Sequence, residues 1–92
     1  MPSKANGSSE APKLTVVVRI EKGGRGGKIV TVIEGFPRAP HLLEKLSREF
    51  KARLGTGGTC GIGEKGGYLE VQGDQRERVR GLLREKGIGS KG

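Results

Sequence analysis

The chain contains no tryptophan, one tyrosine, two phenylalanines, one cysteine and one histidine in 92 residues. Each scarcity excludes something. With only Phe36, Phe50 and Tyr68 as aromatics, the base-stacking platform that usually reads single-stranded RNA is poorly supported. A lone Cys60 forms no internal disulfide and fits a reducing, cytoplasmic setting. Cys60 and His41 together are too few ligands to close a zinc site, and no local carboxylate spacing completes one, so neither a metal nor another cofactor is expected. The same two residues make a poor nucleophile and base. Cys60 falls in an apolar strand pattern and His41 on the polar face of a helix, so the sequence does not argue for an enzyme. No apolar run reaches the ~20 residues of a membrane span, and the N-terminus lacks the apolar segment of a secretory signal.

Glycine and positive charge are abundant. Eighteen residues are glycine, and 18 Lys and Arg stand against 10 Asp and Glu, a formal net charge of +8. In so short a chain this balance predicts attraction to a polyanion, nucleic acid before any other. With few aromatics, contacts to phosphates and to folded RNA shape fit better than base stacking. The length allows one domain with a modest core and leaves no room for a deep catalytic cleft.

Residues 1–13 are rich in Ser, Pro, Gly, Ala and Asn and have no periodicity, which predicts a flexible tail before a domain over 14–92. Leu14, Val16, Val18 and Ile20 alternate with Thr15, Val17, Arg19 and Glu21, the pattern of a half-buried strand. Lys28 to Glu34 predicts a second strand, joined to the first as a hairpin with a long basic tip. The break at Gly35 to Pro40 precedes a helix from about His41 to Leu54, with Leu42, Leu43, Leu46, Phe50 and Leu54 on one side and His41, Lys45 and Arg48 opposite. Gly55 suits its stop. A short third strand is expected around Gly57 to Cys60, a loop over Gly61 to Gly67 and a fourth strand over Tyr68 to Gln72. Gly73 turns this strand into a last helix from about Gln75 to Lys86, with Asp74 as cap and Glu77 reaching back to it. Val79, Leu82 and Leu83 form its buried face, and Gly87 suits the position beyond its end, with Ile88 packing back on Leu83. The order β-β-α-β-β-α, with one apolar face on each helix, predicts an α+β two-layer sandwich with both helices on one face of a mixed sheet.

Three stretches of this pattern resemble the translation initiation factor 1 family of eukaryotes and archaea, which includes bacterial YciH-type proteins. They are Val32-Ile33-Glu34-Gly35 before the first helix, the run from Phe50 to Thr59, and Val71-Gln72-Gly73-Asp74-Gln75-Arg76. The resemblance covers about Leu14 to Ile88. Family members usually add a strand after the last helix, and here Gly87 to Gly92 leaves room for a short one or none. The resemblance implies a monomeric partner of the small ribosomal subunit that binds rRNA near the initiator tRNA and mRNA and influences start-codon selection or initiation. It places the first hairpin loop towards rRNA and the decoding region, and the loop around Glu64 and Lys65 towards the tRNA. A protein-binding adaptor of the same fold, holding another translation factor on its helix faces, is the competing reading.

The candidate RNA contacts follow from chemistry as well as position. Lys22-Gly23-Gly24-Arg25-Gly26-Gly27-Lys28 combines three cations with a backbone that can approach phosphates closely, and Arg25 offers a bidentate contact. It is not a nucleotide-binding P-loop, because Lys22 stands where that motif needs glycine and Ile29 where it needs a hydroxyl. Gly61-Ile62-Gly63-Glu64-Lys65-Gly66 spaces its glycines like a dinucleotide site, but a strand follows rather than a helix. Arg76, Arg80 and Arg84 recur at helical spacing and form a stripe suited to a phosphate run. His41, Lys45 and Arg48 give the first helix a similar stripe, and Lys51 joins Arg48 as a candidate contact near its C-terminal half. For both helices the competing reading is a solvated face, and for Arg48 and Lys51 also the favourable helix dipole.

Overall fold

Period-two alternation builds the sheet, and the computed structural model describes it over residues 14–22 and 27–92. The tail predicted over residues 1–13 and the loop residues Gly23, Gly24, Arg25 and Gly26 lie outside the described residues. Strand β1 (Thr15–Lys22) pairs antiparallel with β2 (Ile29–Phe36), which closes the expected hairpin. Strand β4 (Gly66–Gln72) pairs with the other side of β2, and β3 (Gly58–Gly63) pairs with β4, both antiparallel. Helix α1 (Pro40–Leu54) links β2 to β3, and helix α2 (Arg76–Glu85) follows β4. The final strand β5 (Gly89–Lys91) is short, as anticipated, and runs parallel to β1. The order across the sheet is β3-β4-β2-β1-β5, so the sheet is mixed.

One face of the sheet carries Val16, Val18, Ile33, Leu69 and Val71, which share a core with Leu43, Leu46, Phe50 and Leu54 of α1 and Val79, Leu82 and Leu83 of α2. Both helices therefore cover the same face, as the two apolar stripes required. Ile33 and Phe36 both enter this core although they lie three residues apart, a spacing that regular pleating would send to opposite faces. A bulge between Glu34 and Phe36 absorbs the extra residue. The sequence reading placed the break at Gly35; the strand continues to Phe36 because the bulge lets this ring stay inside.

Two further expectations are corrected. Gly61 to Gly67 is not a loop: β3 runs to Gly63, β4 begins at Gly66, and only Glu64 and Lys65 lie between them. Gly61, Gly66 and Gly67 are strand residues whose side-chain space is already filled. A Cβ on Gly61 would sit 2.7 Å from the Tyr68 hydroxyl, and one on Gly67 would sit 2.6 Å from the Pro37 carbonyl oxygen. The capping box at Asp74 and Glu77 does not form either. The residue before α2 is Gln75, and no side chain of the helix's own N-cap closes that end. Asp74 Oδ1 accepts the Arg76 amide at 3.4 Å, and a residue of β2 closes the turn before it. The Thr31 hydroxyl donates to the Gly73 carbonyl at 2.7 Å and accepts the Gln75 amide at 2.8 Å. Gly73 has φ +85°, the left-handed turn foreseen at that position. Both helix stops are as predicted, and Ile88 N–H reaches the Leu83 carbonyl at 2.9 Å beyond Gly87.

Candidate nucleic-acid interface

The topology decides which cations can act together. Gly73 N–H donates to the Ile29 carbonyl at 2.8 Å, which sets the turn before α2 beside the base of the β1–β2 loop. Gln72 N–H donates to Gly57 at 3.0 Å, which brings in the chain just beyond α1. One end of the sheet thus collects Lys22 and Lys28 from the hairpin, Lys51 from the last turn of α1 and Arg76 from the first turn of α2. Lys22, Gly27, Lys28 and Arg76 are exposed and Lys51 is half-buried.

The other candidates separate from this cluster. Arg84 lies at the far end of α2 and is exposed. Arg80 sits between, half-buried, and its guanidinium donates to the backbone oxygen of Gly92. Arg48 lines a hollow beside Gly58 and Thr59 at the β3 edge, and Lys45, three residues before it, is exposed about 60° round α1. Lys45 and Arg48 lie on the helix that covers β3 and β4, Arg80 and Arg84 on the helix that covers β1 and β5. Arg76 is also engaged locally, its Nε 3.1 Å from Asp74 Oδ1. That guanidinium holds the Asp74 carboxyl below the usual carboxylate range.

The helix-free face of the sheet has a different electrostatic character. Arg19 Nη1 donates to Glu21 at 2.9 Å, while its Nε and Nη2 both reach Glu34 Oε1 at 3.3 and 3.1 Å. Lys65 Nζ lies 3.4 Å from Glu34 Oε2, so the β3–β4 turn is fastened to β2. Sequence reasoning gave Lys65 to a mobile loop and did not connect it to Glu34, a residue 31 positions away. Burial pushes the Glu34 carboxyl up, but the Arg19 hydrogen bonds and the Arg19 and Lys65 charges outweigh it and hold it below its ordinary value of 4.5. A carboxyl with a lowered folded-state value adds stability above its unfolded value and loses it as pH falls through the lowered one. Glu34→Gln should therefore cost about 1 kcal/mol at neutral pH, and the difference from the parent should shrink as pH falls below the ordinary carboxylate range. Thermal unfolding across that range checks it; a gap that persists in acid would remove Glu34 ionisation from the account.

A second network, also unseen in the sequence, joins the helices. Arg53 lies 3.1 Å from Glu85 and Lys86 2.7 Å from Glu49. These residues hold the two helices beside each other and take their charges out of any RNA surface. Among the described residues, no group of three or more His, Cys, Asp or Glu could hold a metal ion, and no helix is long and apolar enough to cross a membrane.

The family model described as Translation initiation factor SUI1 matches residues 12–89. The chain belongs to this family. A protein named Protein translation factor SUI1 homolog from Hyperthermus butylicus is 44% identical over 73 residues, covering 79% of this chain and 66% of the relative. Its namesake from Pyrococcus horikoshii is 41% identical over 73 residues, covering 79% of this chain and 69% of the relative. A bacterial relative, an uncharacterized protein of Haemophilus influenzae, is 42% identical over 79 residues, covering 84% of this chain and 71% of its own length. The chain thus spans about two thirds of the length of the relatives it matches. The family resemblance read from the three motifs is borne out, and the matched region contains both helices and the whole β1–β2 hairpin.

Proposed function

We propose that the protein acts in the initiation of translation by docking, as a monomer in the cytoplasm, on the small ribosomal subunit near the initiator tRNA. It performs no chemistry there: it occupies space beside the start codon and so influences its selection. The observation that carries this reading is the meeting of Lys22, Lys28, Lys51 and Arg76 at one end of the sheet in a SUI1-family chain of net charge +8. Three elements that are distant in sequence supply these cations. Their shared position suits a run of rRNA phosphates, whose contacts fix register and orientation without reading bases. Arg25, in the loop between Lys22 and Lys28, belongs to the same proposed contact.

Each phosphate contact releases counterions, so the contact is measured by its salt dependence. Arg25→Ala with Lys28→Ala should lower affinity for purified small subunits at least roughly tenfold and reduce the slope of log affinity against log salt by about two. Arg84→Ala, at the far end of α2, should change neither. Unchanged affinity and slope in the double variant, measured by filter binding, would remove the hairpin loop from the interface.

A further inference from the structure

The two edges of the sheet are built differently. Strand β5 is three residues long and carries Lys91, two features that discourage another strand from adding there. Strand β3 is six residues long, with the sequence Gly-Thr-Cys-Gly-Ile-Gly, and has neither charge nor proline. Among the described residues its one neighbour is β4. The turn at Glu64 and Lys65 pairs Gly63 with Gly66, and Gly57 accepts the Gln72 amide at 3.0 Å. By the alternation of an antiparallel ladder, residues 57, 59, 61 and 63 bond to β4, so Gly58, Cys60 and Ile62 direct N–H and C=O away from it.

Beside this edge runs a groove against α1 with two unlike ends. At the Ile62 end is a cavity of about 240 Å³ lined by Pro40, Leu43, Cys60 and Ile62 among others. Ile62 is 45% exposed and Leu42, on the same helix, 39%. At the Gly58 end Arg48 and Lys51 line a hollow of about 180 Å³ beside Thr59, and Glu44 borders both hollows between them. Neither Arg48 nor Lys51 forms an ion pair among the described residues.

We propose that the β3 edge and the adjoining α1 groove bind an extended peptide of a partner protein, which adds as an antiparallel strand with an apolar side chain towards Ile62 and an acidic one towards Arg48. Strand addition draws affinity from main-chain hydrogen bonds and specificity from alternate side chains. Gly58 and Ile62 are four residues apart, and side chains at that spacing on an added strand face the same side, here α1. The recognised pattern, read from its N-terminus, is apolar-x-x-x-acidic. A second copy of this chain is a poor occupant, because its β3, Gly-Thr-Cys-Gly-Ile-Gly, carries no acidic side chain to offer Arg48. The chain's own residues 1–13 are a poor occupant too: they carry Lys4 and Lys13 against Glu10, and they lead into β1, which β4 and β2 separate from β3. The proposal shares Lys51 with the RNA reading but does not need that reading, since it rests on Arg48 and the β3 edge rather than on the hairpin.

The test selects displayed random octapeptides on the full chain and, in parallel, on Arg48→Glu, an exposed position whose replacement leaves the core untouched. The expected outcome is enrichment of apolar-x-x-x-acidic sequences on the parent, with binding of the selected peptide roughly tenfold weaker on the variant. Amide exchange in the bound state should slow at Cys60 and Ile62. Methylating the peptide amides that face β3 should abolish binding, and methylating the alternate amides should spare it. No enrichment, an enrichment that Arg48→Glu leaves unchanged, or equal effects of the two methylation patterns would overturn the proposal. So would Cys60 and Ile62 amides already protected in the free chain, which would mean that its own segment or a second copy fills the edge.

Discussion

Phe50→Ala costs the domain about 3–5 kcal/mol, the range for truncating a fully buried phenylalanine. Phe50 is 0% exposed, and it and Phe36 are the largest fully buried side chains described. In a chain with no tryptophan and two phenylalanines, few other rings can fill the space it leaves. The ring stands on α1 and closes the core over β3 and β4, so its loss loosens the helix that brings Lys51 to the hairpin end. A domain of this size holds about 5–15 kcal/mol in total, and the melting temperature should fall by more than about 12 °C. Calorimetry measures it directly. A fall of only a few degrees would mean that α1 is held mainly by its polar contacts.

Thr31→Val costs about 2–4 kcal/mol although it preserves shape and volume, because it leaves two backbone groups without their partner. The residue is 0% exposed, and its hydroxyl satisfies both the Gly73 carbonyl and the Gln75 amide. Valine can neither donate to the first nor accept from the second. The damage should be local as well as global. At the start of α2 the N-cap Gln75 gives no side-chain cap and Asp74 reaches the Arg76 amide only at 3.4 Å, so the amides of Gln75 and the first helical turn should exchange faster before the core opens. Because Arg76 opens this helix beside the hairpin, the variant should also weaken subunit binding more than its fraction unfolded explains. Denaturant titration with amide exchange checks both halves. An unchanged midpoint would show that water replaces the hydroxyl without loss.

These two residues mark how far the sequence could be read. Phe50 was visible as part of an apolar helical stripe, and β1, β2 and β4 were visible as alternation. The helix stops at Gly55 and Gly87 were visible for a chemical reason, the ease with which glycine enters the left-handed region. Thr31 was not visible, since a threonine inside a strand reads as ordinary strand chemistry until the fold brings Gly73 and Gln75 against it. The same applies to β3. Glycines at 61 and 67 read as loop, and only the Tyr68 ring and the Pro37 carbonyl explain why strand positions lack side chains there. Asp74 was legible in part: its Oδ1 accepts the Arg76 amide as a cap would, but the carboxylate also turns to the Arg76 guanidinium and no bond from Glu77 completes the box. At the candidate site the cations themselves were legible, their grouping was not. Lys51 and Arg76 meet the hairpin through strand pairing, while Arg80 and Arg84, in the same stripe as Arg76, point along α2 to the other end.

Electrostatic recognition of the small ribosomal subunit by the cationic end of this fold is tested most directly by sedimentation of the chain with purified small subunits across a salt series. The expected result is saturable co-sedimentation at low salt, with log affinity falling linearly as log salt rises. Failure to co-sediment at low salt, or an affinity indifferent to salt, would contradict it.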